Sequence, residues 1–110
     1  MAVADKKGGP PPLTRERVGQ LLADLNLGWI TTLDATRIKR IYQFKEFHTT
    51  WDFADRVGQI TENKGHHVVL HIGWGRCTVE IWTSQINGLI ETDFSLAAQY
   101  DQTYAQMATS

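Results

Sequence analysis

Two of the chain's four histidines stand side by side in Glu62-Asn63-Lys64-Gly65-His66-His67-Val68. Imidazole titrates near neutral pH without help, so an adjacent pair beside a carboxylate suits proton transfer to and from a leaving hydroxyl. Neighbours on a regular strand point to opposite faces, so His66 and His67 serve one site only where the backbone is irregular. The same pair also suits a plain structural role at a strand start. A metal site is the rival chemistry, with His67 and His71 on one strand face and Glu62 or Glu80 nearby. Neither a cysteine pair nor a short acidic cluster supports it. Cys77, the single cysteine, fits packing as a small apolar residue better than attack as a nucleophile.

The elements around this corner follow from spacing. Glu46 to about Asn63 predicts the longest helix, with Phe47, Trp51, Ala54, Val57 and Ile60 on one side and Phe53 widening that stripe. Gly65 supplies its stop, because glycine takes a left-handed backbone cheaply. His66 to Trp74 predicts a strand, Gly73 to Arg76 a turn, and Cys77 to Ser84 the returning strand. There Cys77, Val79, Ile81 and Thr83 share a face opposite Thr78, Glu80, Trp82 and Ser84.

Upstream, Met1 to Pro12 is a charged, Gly-Gly and proline-rich arm that buries too little apolar surface to offset its ordering entropy. Residues 13–110 form the domain. Thr14 caps a first helix whose stripe is Val18, Leu21, Leu22 and Leu25, ending at Asn26-Leu27-Gly28. A hairpin follows: Trp29, Thr31 and Leu33, a turn at Asp34-Ala35-Thr36, then Ile38, Tyr42 and Phe44, with Arg40 interrupting the apolar face. A last helix runs from about Thr92 to Met107 on Phe94, Ala97, Tyr100 and Tyr104. The order predicts an α+β fold, a four-stranded antiparallel sheet with three helices on one face. Such a sheet can leave its other face open, where Trp82 is either a partner contact or covered by another subunit.

Composition bounds the function. The chain has 110 residues, 11 basic and 12 acidic side chains and a net charge of −1, which supports one domain and no polyanion footprint. No nucleic-acid partner and no membrane partner are expected, since no apolar run is long enough to span a bilayer. The first residues lack the apolar core of a signal peptide, and one cysteine suits a reducing, cytoplasmic setting.

With the whole order in view, the chain resembles the pterin-4a-carbinolamine dehydratase family from Leu13 to Asp101. The matching pieces are Leu13, Leu21-Leu22, Leu25 and Gly28-Trp29, then Phe44-Lys45-Glu46-Phe47, Arg56-Val57, Glu62 with His66-His67, Gly88-Leu89, Asp93 and Leu96-Ala97. The resemblance implies elimination of water from a tetrahydropterin carbinolamine, with no metal and no bound cofactor. It places Glu62, His66 and His67 at the active corner, with a third histidine expected in a Thr-His step on the following strand. Here that step is Thr83-Ser84. A serine hydroxyl does not titrate near neutrality, and the loss of a positioned acid or base costs roughly 10²–10⁴-fold in rate. Val68 replaces the expected proline after the pair, which relaxes the backbone at His67. Ile90 lacks the hydroxyl that usually caps the last helix, a role open to Thr92.

Two functions follow. The first is a catalytically degenerate protein-assembly factor, since the family includes dimerisation cofactors and carboxysome-linked Rubisco assembly factors that lack the full histidine set. Rubisco's large subunit is then the partner, Trp82, Trp74 and Ile41 are candidate contacts, and the carboxysome is the associated site. The second is a working dehydratase acting on a small-molecule pterin with the remaining His66, His67 and Glu62. Either way the resemblance implies a homo-oligomer, a dimer or tetramer.

Overall fold

The computed structural model describes residues 11–25, 28–32, 34–62 and 67–109. Most of the arm, Asn26-Leu27, Leu33, the Asn63–Gly65 stop and His66 lie outside the described residues. Seven elements follow one another: α1 (Arg15–Ala23), β1 (Ile30–Thr32), β2 (Arg37–Gln43), α2 (Phe47–Glu62), β3 (His67–Gly73), β4 (Arg76–Trp82) and α3 (Glu91–Thr109). The strands form one antiparallel sheet in the order β1-β2-β4-β3. The α+β expectation of four strands and three helices holds.

Register explains the two faces. Ile38 lies opposite Ile81, and Tyr42 opposite Cys77, so their side chains share one side of the sheet. These residues are fully buried with Val79, beneath Phe53 and Val57 of α2 and Phe94, Ala97 and Tyr100 of α3. Burying a side chain of this size contributes about 1.5–3 kcal/mol, so this layer is the main source of stability. Arg40, which broke the apolar pattern of β2, sits on the same side and bonds to Asp101 of α3 at 2.5 Å.

Several boundaries and phases differ from the expectations. In α1 the Arg17 N–H donates to Thr14 Oγ1 at 3.1 Å, the expected cap, but the helix ends at Ala23 rather than at 26–28. The stripe of α2 is rotated: Thr50, Phe53, Ala54 and Val57 are buried, while Phe47 and Trp51 face out. Spacing i, i+3, i+4, i+7 fits this set as well as the one led by Trp51, and Thr50 enters it because its hydroxyl donates to Glu46 O at 3.0 Å. Phe47 instead stacks on Trp74 across 5.3 Å.

The strands are also shorter than expected. β4 stops at Trp82, because Thr83 leaves the ladder for a single bridge with Gly88. The β3–β4 turn needs Gly75, whose φ is +78° and where an added Cβ would lie 3.1 Å from Phe44 O. Trp82 is not an exposed contact awaiting a subunit. The Arg37 guanidinium lies 3.6 Å over its ring, and the residue is buried within the chain.

The β1–β2 connection carries Asp34 and Ala35 at φ of 59° and 64°. A Cβ in this left-handed region costs about 1–2 kcal/mol, a penalty glycine escapes. Glycine also loses more freedom on folding, so the Ala35→Gly variant is expected to gain only about 0.5–1 kcal/mol. Urea unfolding checks this, and a lowered midpoint would show that the Ala35 methyl, packed against the core, outweighs the strain.

Candidate functional site

The histidine corner is built from three elements. The last residue of α2 is Glu62, the first of β3 is His67, and β3's register sets residue 67 opposite Trp82 at the end of β4. Beyond Trp82 the chain enters a tight turn over Ser84–Asn87. Thr83 N–H donates to Gly88 O at 2.8 Å, Gly88 N–H returns the bond to Thr83 O at 3.3 Å, and Asn87 N–H reaches Ser84 O at 3.2 Å. Asn87 turns the chain at a φ of 50°, a conformation Asn tolerates well among non-glycine residues. The Ser84 side chain is exposed at the head of this turn.

The carboxylate of Asp93 fastens this turn to the start of α3. Its Oδ2 accepts from Thr83 Oγ1 at 2.8 Å and from the Ile90 N–H at 2.9 Å, and the residue is fully buried. Ile90 therefore needs no capping hydroxyl of its own. The third helical residue reaches back to it, α3 starts at Glu91, and the role expected of Thr92 falls to Asp93. A carboxylate in that position also meets the positive end of the helix dipole. Loss of these two charge-assisted bonds leaves a buried hydroxyl and an N–H to be satisfied elsewhere. The Asp93→Ala variant is expected to lose about 2–3 kcal/mol of stability, read as a lowered denaturation midpoint. A loss below about 0.5 kcal/mol would remove Asp93 from this role.

A second tie holds α2 against α3 next to Glu62. Thr61 Oγ1 shares a short hydrogen bond with the Tyr100 hydroxyl and also donates to Val57 O at 2.7 Å. Burial pushes the Tyr100 phenol up to about 12, against a smaller downward pull from the Thr61 bond; the charge of Asp93 adds to the rise. Tyr100 is thus a neutral partner at working pH. The turn after β4 and the end of α2 are thus both braced against α3.

Of the expected site residues, Glu62 is exposed and lines a shallow groove of about 350 Å³ between α2 and β3, with Trp51, Leu70 and Ile72. His67 begins β3, Ser84 heads the turn, and His66 lies outside the described residues. Neither His48 nor His71 lies at this corner. His71 is exposed and lies opposite Thr78, midway along the sheet. His48 lies at the opposite end of α2 from Glu62, on the order of 20 Å away at a rise of about 1.5 Å per residue. Among the described residues no three His, Cys, Asp or Glu side chains come together to hold a metal. Glu80, offered as a ligand beside His71, instead accepts from Thr32 Oγ1 at 3.0 Å. Cys77 is fully buried, and burial pushes its thiol up to about 11, the reverse of an activated nucleophile. A larger hollow of about 640 Å³ lies elsewhere, lined by Phe44, Glu46, Tyr104 and Met107, and holds none of these groups.

Asp93 and the Thr61–Tyr100 tie were not singled out as site supports by sequence reasoning. The signal that could have found them is polar residues at positions a helix stripe places inside.

Known proteins match this arrangement along most of the chain. The family profile described as "Pterin 4 alpha carbinolamine dehydratase" matches residues 11–103. A Methylococcus capsulatus protein named "Putative pterin-4-alpha-carbinolamine dehydratase" is 44% identical over 100 residues, covering 91% of this chain and 87% of its own. A Rickettsia bellii protein of the same name is 39% identical over 105 residues, covering 91% and 92%. The crystal structure of a transcriptional coactivator/pterin dehydratase from Brucella melitensis superposes with a TM-score of 0.78 at 26% identity, over 84% of this chain and 98% of that one.

Proposed function

The chain belongs to the pterin-4a-carbinolamine dehydratase family, and on that premise we propose that it is a catalytically degenerate member retained as a protein-assembly factor. Rubisco's large subunit is the client, the cytoplasm of carboxysome-containing bacteria is its setting, and the protein works as a homo-oligomer. The observation that supports weakened chemistry is Ser84. It stands at the head of the turn after Thr83, where the family resemblance calls for an imidazole, and neither His48 nor His71 lies near it. Exposed Trp74, Trp51 and Ile41 supply apolar surface of the kind a client-binding protein needs.

The second reading is a working dehydratase, favoured by the names of relatives, one of them 44% identical, and by the presence of Glu62, His66 and His67 in the sequence. An assay of pterin carbinolamine dehydration, with Ser84→His alongside the natural chain, separates the two. Turnover by the natural chain at the rate of an ordinary dehydratase overturns the first reading. The client is tested by Rubisco reconstitution: the protein is expected to raise the yield of assembled enzyme. An unchanged yield without binding removes Rubisco from the proposal.

A further inference from the structure

The face of the sheet turned away from the helices is not electrically neutral. By register it carries Ile30 and Thr32 of β1, Arg37, Lys39 and Ile41 of β2, Arg76, Thr78, Glu80 and Trp82 of β4, and Val69 and His71 of β3. Three fixed cations therefore share the face with one acid in a chain whose net charge is −1. That acid, Glu80, already accepts from Thr32 and lies beside Lys39 across the ladder. Among the described residues neither Arg37, Lys39 nor Arg76 is held in an ion pair. The acids Asp52, Asp55 and Glu62 are exposed on α2, on the helical side.

The same face exposes apolar surface around its central cation. Ile30 lies opposite Lys39 and is 52% exposed, and Ile41, two residues along β2, is 48% exposed. At one end the Arg37 guanidinium sits over the Trp82 ring at 3.6 Å, and its buried Nε has no hydrogen-bond partner among the described residues. This cation–π contact holds the guanidinium in place in advance, so less freedom is lost when a carboxylate meets it. Arginine is also among the residue types that most often anchor protein interfaces.

We infer that this open sheet face docks an acidic polypeptide segment that carries apolar side chains. From Arg37 to Ile41 the face runs about 13 Å along the strands, and about 14 Å across the four of them, the footprint of a short helix or strand. Carboxylates of the segment meet Arg37, Lys39 and Arg76, while its apolar side chains cover Ile30 and Ile41. A second copy docking face to face would set three cations against three, so charge opposes it. The chain's own first residues, with Lys6, Lys7 and only Asp5 in opposition, are the wrong sign. Ile41 belongs to both this surface and the proposed client contact, but the inference names the chemistry of the segment it takes and stands whether or not Rubisco is the client or dehydration survives.

The test uses the full chain and a fluorescein-labelled peptide of alternating glutamate and leucine, read by fluorescence anisotropy. Saturable binding is expected, weakening as salt rises because screening reaches exposed charges. Lys39→Glu, Arg76→Glu and Ile41→Ser are all surface changes that should leave the thermal midpoint within a few degrees. Combined, they are expected to weaken binding at least tenfold, whereas Asp52→Lys on α2 leaves it unaltered. Three results overturn the inference: no binding, equal binding of the lysine–leucine counterpart, or affinity unmoved by the triple change. Tighter binding of a short DNA duplex than of the acidic peptide would also overturn it, by naming a different polyanion.

Discussion

Replacement of Asp101 by alanine is expected to lower the free energy of unfolding by about 3 kcal/mol, roughly a 150-fold change in the folded-to-unfolded ratio. Three side chains from β2 and from the segment before β1 converge on this one carboxylate. Trp29 Nε1 donates to both carboxylate oxygens at 3.1 and 3.0 Å, Arg40 donates at 2.5 Å, and the Tyr42 hydroxyl donates at 2.6 Å. The pair is largely desolvated, with Arg40 13% and Asp101 18% exposed at their side chains. Alanine leaves an indole N–H, a phenol and a guanidinium without their acceptor, and the cost of an unpaired buried cation dominates. Residual exposure lets water soften that cost, which places the loss at the low end of about 3–5 kcal/mol.

Controls divide this loss into its parts. Tyr42→Phe removes one bond and should cost about 1–1.5 kcal/mol. Burial and the neighbouring Asp101 carboxylate both push the Tyr42 phenol far above its ordinary range, so it stays a donor at any working pH. Gly28 belongs to the same arrangement: a Cβ there would lie 2.8 Å from Arg40 Nε, so the close approach of the arginine depends on glycine. Urea unfolding at unchanged slope measures each loss. A drop below about 1 kcal/mol for Asp101→Ala would mean that Arg40 finds water instead, and that the network is incidental to folding.

What the sequence made legible, and what it hid, divides along physical lines. Period-two alternation in Cys77–Ile81 placed β4 correctly, because one face of the sheet is buried and a slip of one residue would turn every side chain over. The stripe of α2 was less legible because Trp51 and Phe53 compete for the inside, and hydrophobicity alone favours neither. Tertiary contact decides: Phe53 meets Tyr42 at 4.6 Å and Phe44 at 5.2 Å, so Trp51 is left outside. Arg40 could be seen as an interruption, but its partner lies 61 positions away and no local pattern announces it. Trp82 was assigned to the correct face, but its covering residue comes from another strand. The candidate site divides similarly. Glu62, His66 and His67 drew attention through residue type and adjacency, whereas Asp93 acts through a fold-dependent bond to Thr83.

On the proposed reading, Ser84→His is expected to raise dehydration by roughly 10²–10⁴-fold, equivalent to about 3–5 kcal/mol of barrier. The turn can accept the change without rebuilding. Ser84 is exposed, its carbonyl rather than its hydroxyl takes the Asn87 N–H, and the bridge between Thr83 and Gly88 uses backbone atoms only. Asp93 holds the preceding threonine, so a histidine at 84 starts from a fixed anchor rather than a loose loop. A serine cannot exchange a proton near neutral pH, whereas imidazole can, so the restored activity should also acquire dependence on a group titrating near its ordinary value of about 6.5. A rise without that dependence would assign the gain to packing. If both proteins are inert, Ser84 is not the sole lesion, and Val68 becomes the next position to restore. It stands second in β3, half-buried and opposite Ile81, where valine continues a regular strand directly after His67. A proline there would restrict the histidine before it, so Ser84→His with Val68→Pro measures whether backbone restraint and the third ring must be present together.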